Sequence, residues 1–262
     1  MPTAIWLTSE AYILHKGVKM NIAVIIGTEA KGCTYSIKEA FLKPLRGGNE
    51  IVEYTLPKDM PHACIGCKAC FMKGTEKCPH APLVMPIWDS IAKADLLVIA
   101  APVYGLGIPS ALKALLDHFC VRWMVHRPEL IMNSKRAVVL TNCVGPFFIA
   151  RAAQRDIMNS LSWMGISKIS RNSVGLIEGI VWEELSEKRR TKIVSKVQSL
   201  AARCSANNPP RKNLKTRAAF FACKLMHKAA LKSEEIPSLD NRHWIDNGWI
   251  KLPEEKMPRS AS

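Results

Sequence analysis

Five short apolar runs recur along this chain, each followed by a stretch with helical spacing, and that alternation constrains the fold more than any other feature. The runs cover 22–26, 50–56, 95–100, 136–141 and 168–176. Short, β-branched runs bounded by turn residues read as strands buried on both faces. Between them, Ile37, Ala40 and Phe41 repeat at helical spacing, as do Leu112, Leu115 and Leu116 within 109–119. Residues 84–93, 148–163 and 183–204 read as further helices. Strands alternating with helices predict an α/β fold, a doubly wound five-stranded parallel sheet covered on both faces. The expected strand order is 2-1-3-4-5, with ligands held beyond the carboxyl ends of the strands.

Three loops sit at those ends. The first, 27–36, is short, small and hydroxyl-rich, and it opens a helix. Backbone N–H groups at a helix start favour a phosphate. Thr28, Gly32, Cys33, Thr34, Tyr35 and Ser36 form that cradle, and Lys31 adds a positive charge. The competing reading makes Thr34 a plain helix N-cap. The second loop carries Pro102, Val103, Tyr104, Gly105 and Gly107, whose amides and Tyr edge can line a flat ring. The third, with Thr141, Asn142 and Gly145, can close the ring's far side.

Four of nine cysteines fall between 64 and 78, spaced C-x2-C-x2-C-x7-C-P. Cys64, Cys67, Cys70 and Cys78 suit an iron–sulfur cube, whose irons each take one thiolate. Zinc and metal-free thiols are the competing readings, although zinc more often takes two separated C-x2-C knuckles. A disulfide framework is disfavoured by the chain's length and odd cysteine count. The segment 61–82 reads as an insertion in the sheet pattern.

The formal net charge is +15, with +5 of it on 207–262. Such a chain attracts phosphates and anionic surfaces without specificity. No stacking motif for nucleic acid is visible, and no apolar run reaches the ~18 residues that span a membrane. The free thiols suit a reducing, cytoplasmic setting. Residues 1–19 read as a loose extension, 20–206 as the main domain, and 207–262 as a basic extension beginning near Pro209-Pro210. Within it, 211–232 predicts a basic helix with Leu214, Ala218, Phe221, Leu225 and Ala229 on its apolar stripe, and 233–262 reads as irregular. The 122–128 segment, Arg-Trp-Met-Val-His-Arg-Pro, reads as a solvated or dimer-contacting loop; a substrate or nicotinamide-phosphate site is the alternative.

The Ile-Gly-Thr loop, the Cys-Ile-Gly-Cys-Lys-Ala-Cys run and Ala-Pro-Val-Tyr followed by Ser-Ala-Leu-Lys-Ala-Leu-Leu-Asp resemble the NADPH-dependent FMN reductase-like flavoproteins of flavodoxin fold. The cysteines make the chain most similar to their iron–sulfur flavoprotein branch. The resemblance covers roughly residues 20–200. It implies that Thr28 to Ser36 hold the FMN phosphate and that Pro102, Val103, Tyr104 and the following residues hold the isoalloxazine ring. The 141–146 loop would complete the pocket. It further implies a homo-oligomer with flavin sites near subunit interfaces. The resulting expectation is an NAD(P)H oxidoreductase passing electrons through FMN, with a candidate 4Fe–4S cluster, to a small-molecule or protein acceptor. The alternatives are a non-catalytic electron carrier and an adaptor for nucleic acid or membrane surfaces built on 211–232. No residue is marked as a general acid or base.

Overall fold

All five apolar runs become strands of one sheet. In the computed structural model, which describes residues 19–176, 181–204 and 214–252, they are β1 (Asn21–Ile26), β2 (Glu50–Thr55), β3 (Leu96–Pro102), β4 (Arg136–Val144) and β5 (Lys168–Leu176). Every pairing is parallel, in the order β2-β1-β3-β4-β5. The helices are α1 (Cys33–Leu42), α2 (Ala69–Met72), α3 (Ala81–Lys93), α4 (Ser110–His118), α5 (Arg151–Trp163), α6 (Glu187–Cys204), α7 (Leu214–Ser233) and α8 (Leu239–Asp246). None of the described helices is long and apolar enough to cross a membrane.

Side chains alternate across the pleat and so build two cores. Ala23, Ile25, Leu97, Ile99 and Val139 join α3, α4 and α5 through Ile87, Trp88, Leu112, Leu115, Ile157 and Leu161. Ile22, Val24, Ile26, Val98 and Leu140 face the other way, onto Ile37 and Phe41 of α1 and Val197 and Leu200 of α6. Burying each such side chain stabilises the fold by roughly 1.5–3 kcal/mol. The α1 layer also holds a buried cation. Lys38 is 1% exposed, lies 2.6 Å from Glu53 and pairs with Glu39. Arg46 reaches the same two carboxylates at 2.8 and 3.3 Å, which ties α1 to β2.

β3 and β4 run past their expected ends. Pro102 pairs with Asn142, and β4 stays paired with β5 as far as Val144 and Leu176. Thr141 and Asn142 therefore belong to a strand, and the third loop begins at Gly145.

The C-terminal region differs from its sequence reading in two ways. α7 forms, but its expected stripe faces solvent: Leu214, Phe221 and Leu225 are 80%, 61% and 51% exposed. The packed face is Thr216, Cys223, His227 and Leu231. Its partners explain the rotation, because Cys223 and Leu231 pack with Met124, Trp244 and Ile250 in a third core. Nor is the segment after 233 wholly irregular: Ser238 caps α8 by accepting from the Asn241 N–H. Residues 1–18, the Pro209-Pro210 break and residues 253–262 lie outside the described residues.

Candidate functional site

The strand order reverses between β1 and β3, the place where doubly wound sheets hold ligands. Gly27 ends β1 there and donates its N–H to the Ala100 carbonyl at 2.8 Å. A Cβ on Gly27 would lie 3.1 Å from that of Ala101, so a larger residue would push the two strand ends apart by a few tenths of an ångström. α1 then opens at Gly32, with no side-chain cap. Thr34 is thus not the N-cap. Its hydroxyl donates instead to Asn142 Oδ1 at the end of β4. Thr28 curls locally, its Oγ1 accepting from Ala30 N–H at 3.2 Å, and lies 3.4 Å from the Tyr104 hydroxyl. These two contacts join the ends of β1, β3 and β4.

After β3 the chain makes a tight hairpin. Tyr104 and Gly107 exchange N–H···O bonds of 3.1 and 2.9 Å around Gly105 (φ +55°) and Leu106 (φ +65°). The turn leaves Tyr104 and Leu106 exposed beside the crevice. Val103 N–H bonds the Asn142 carbonyl at 2.9 Å, and Pro102 is buried in the sheet.

Not every expected contact reaches the crevice with its side chain. Thr141 is buried under α5, its hydroxyl accepting from Gln154 at 3.0 Å. The Cys33 side chain enters the α1 core. Tyr35 lies under Lys38 Nζ, 4.4 Å from its ring centroid. Gly145 N–H is taken by the Leu176 carbonyl at 2.8 Å. Lys31 is exposed, while Gly32 and Ser36 are half-buried at the helix start.

The NADPH-dependent FMN reductase family matches residues 20–179, well over half of the chain. This chain is a member of that family. An FMN-dependent NADH:quinone oxidoreductase of Pseudomonas putida is 43% identical over 58 residues, 20% of this chain and 29% of that protein. One of Pseudomonas fluorescens is 34% identical over 92 residues, 31% of this chain and 46% of that protein. The matched region therefore spans less than half the length of these curated relatives. Among solved structures, an FMN-dependent NADH-azoreductase from Bacillus anthracis in complex with FMN superposes with TM-score 0.56 at 15% identity. It covers 71% of this chain and all of that one. An NAD(P)H:quinone oxidoreductase from Methanothermobacter marburgensis gives 0.57 at 17%, over 73% and all of the two chains. At these identities the likeness is one of fold.

The residues present fit the family's cofactor, FMN. A helix start has backbone donors without intrahelical partners. Here the side chain at the cap position is only a hydrogen, so a phosphate would complete it.

A second cluster lies at the 61–82 insertion. Cys64, Cys67, Cys70 and Cys78 all line one cavity of about 80 Å³, together with His80 and His118. Gly66 (φ +66°) and Lys68 (φ +59°) turn the loop, and Arg127 donates to the Cys70 carbonyl. Burial, then the Cys78 and Cys64 thiols, pushes the Cys70 thiol up. The tightest convergence among the described residues is not thiols alone. Ligand atoms of Cys78, His80 and His118 all lie within 4.8 Å of one another. The cysteine spacing gave no reason to expect the two imidazoles. Cys-Pro-His at 78–80 carried a signal for His80; His118 sits on the buried face of α4 and reads there as core.

The 122–128 segment is the seam between the family domain and the C-terminal helices. His126 Nδ1 lies 2.8 Å from Asp240 Oδ2. Arg127 Nε pairs with Asp240 Oδ1 at 3.0 Å, an ion contact without hydrogen-bond alignment. Trp244 donates to the His126 carbonyl at 2.7 Å. These contacts give His126 and Arg127 structural partners, and Arg122 pairs with Glu129 and lies over the Trp88 ring.

Proposed function

We propose that this chain binds FMN at the carboxyl ends of β1, β3 and β4 and uses it to pass electrons from NAD(P)H to a quinone-type acceptor. The observation that carries this reading is the bracing of three loops around an uncapped helix start, through Thr34–Asn142 and Thr28–Tyr104. The two curated relatives are FMN-dependent NADH:quinone oxidoreductases, which supports the choice of acceptor.

FMN supplies the two-electron redox chemistry when bound. The chain's own residues bind and orient. The N–H groups at the start of α1 and the Ser36 hydroxyl take the phosphate, with Lys31 compensating its charge. Asn142 fixes the Thr34 hydroxyl, so the cradle needs little reorganisation when the ligand arrives. The Tyr104–Gly107 hairpin would line the ring's side of the site. No side chain is assigned a proton-transfer step.

A second copy of the chain fits at the rim. Leu106, Val144, Phe147 and Phe148 are more than half exposed at this end of the sheet, which supports the expected homo-oligomer. We further propose that 20–206 forms the FMN-binding domain and 207–262 an extension on it, in a cytoplasmic protein.

The test is steady-state oxidation of NADH and NADPH by the FMN-loaded protein with a soluble benzoquinone. Turnover that needs both FMN and the quinone supports the reading. FMN binding without turnover would make the chain an electron carrier instead.

A further inference from the structure

We propose that Cys78, His80 and His118 form three corners of a tetrahedral zinc site, with the Cys70 thiolate as the fourth. The argument begins with His118. Its Nδ1 lies 2.7 Å from the carbonyl oxygen of Ala114, one turn back along α4. A carbonyl only accepts, so Nδ1 carries the proton and Nε2 the lone pair. A buried ring fixed by a backbone carbonyl is the arrangement that orients a metal-ligating histidine.

The Nε2 lone pair points at His80 Nδ1, 3.0 Å away. Two imidazole nitrogens on one tetrahedral zinc stand about 3.3 Å apart, from Zn–N bonds of about 2.0–2.1 Å. A few tenths of an ångström of opening therefore admits the ion. The Cys78 sulfur completes a triangle with them, all within 4.8 Å. His80 is held from its other side by stacking on His62, with ring centroids 4.8 Å apart.

The fourth corner falls to the insertion. Cys70 lines the same cavity as these three groups. Its thiol is half-buried, whereas those of Cys64 and Cys67 are exposed. A set of two thiolates and two imidazoles matches zinc's preference. A 4Fe–4S cube takes four thiolates and gives the two imidazoles no role.

Binding is a proton exchange with no redox step. Zn2+ enters, the Cys70 and Cys78 thiols each release a proton to solvent, and His80 moves its Nδ1 proton to Nε2. All four ligands are closed around the ion, so its role is to staple the insertion to the start of α3 and the end of α4.

The test is the metal content of the full-length protein purified anaerobically, FMN-loaded, from cells supplied with both zinc and iron. The expected result is about one zinc and no iron per chain. Cobalt(II) in place of zinc should give the intense visible bands of a tetrahedral thiolate site. His80→Gln, Cys78→Ser and Cys70→Ser should each weaken zinc at least about 100-fold in a chelator competition, more than loss of an outer partner does. His62→Ala should keep the ion. Far-UV circular dichroism of each variant checks that it has folded. About four irons per chain would overturn the proposal in favour of the all-thiolate cube, and a metal-free protein would overturn it outright. Zinc retained in Cys70→Ser would overturn the fourth corner. Because the ion is counted without any assay of turnover, the result is independent of the FMN reading.

Discussion

Replacing Trp244 with alanine probes whether the C-terminal helices are built into the fold. Trp244 is fully buried, and its indole donates to the His126 carbonyl at 2.7 Å. It stacks with His227 and Phe220 at 4.4 and 4.9 Å and meets Trp249 edge-on at 5.0 Å. Truncating a buried Trp to Ala costs about 3–5 kcal/mol. The lost aromatic pairs place Trp244→Ala in the upper half of that range. Urea unfolding followed by far-UV circular dichroism measures it without relying on the fluorescence of the removed residue. We expect a fall of about 4 kcal/mol in the transition that reports α7 and α8, with FMN affinity unchanged. A loss below about 1 kcal/mol, the range of ordinary surface substitutions, would refute the packed seam. An equal loss of FMN affinity would make the extension part of the cofactor site.

Thr34→Ala should weaken FMN by about 1 kcal/mol, near fivefold, the scale of one hydrogen bond. Asn142→Ala should do the same, and the double variant should cost less than the sum because the two side chains share one contact; additive losses in FMN titrations would contradict this. A Cβ on Gly175 would sit 2.5 Å from the Gly145 oxygen and 2.6 Å from the Phe147 nitrogen. Gly175→Ala should therefore destabilise by about 1–3 kcal/mol, read as a lowered Tm. For Glu39, burial pushes the carboxyl up, but hydrogen bonds from Lys38 and Arg46 outweigh it and leave the group below its ordinary range. Its folded pKa lies below the unfolded one. The stabilisation is therefore present above the unfolded pKa and lost as pH falls through the folded pKa. Glu39→Gln should flatten that acid limb in urea midpoints measured against pH.

The sheet was legible because its strands are apolar on both faces and short. β5 has the bounds read from sequence, and β1 and β2 differ by one residue at one end. β3 and β4 were read short because Pro102, Asn142 and Cys143 look like turn residues. Pairing with their neighbours carries both strands on. The loop after β1 and its position at the start of α1 were legible from its small residues, but the side-chain brace between Thr34 and Asn142 spans 108 residues and has no local signal. α7 was rotated in the sequence reading because its most apolar stripe is not the one it buries. The packed stripe contains Thr216 and His227, whose partners come from other elements: the Ser167 hydroxyl at 3.3 Å for Thr216, and Asn241 and the Trp244 ring of α8 for His227. The thiols of the insertion were conspicuous. The imidazoles that meet Cys78 come from two different helix ends, and only the fold brings them together.

The central claim is that the uncapped start of α1 holds the phosphate of FMN. Calorimetric titration of the flavin-free protein with FMN and with riboflavin tests it most directly, since the two ligands differ only in that phosphate. The account predicts that FMN binds at least about 100-fold more tightly, as expected for two charge-assisted hydrogen bonds of roughly 1.5 kcal/mol each. Equal affinity for the two would contradict it.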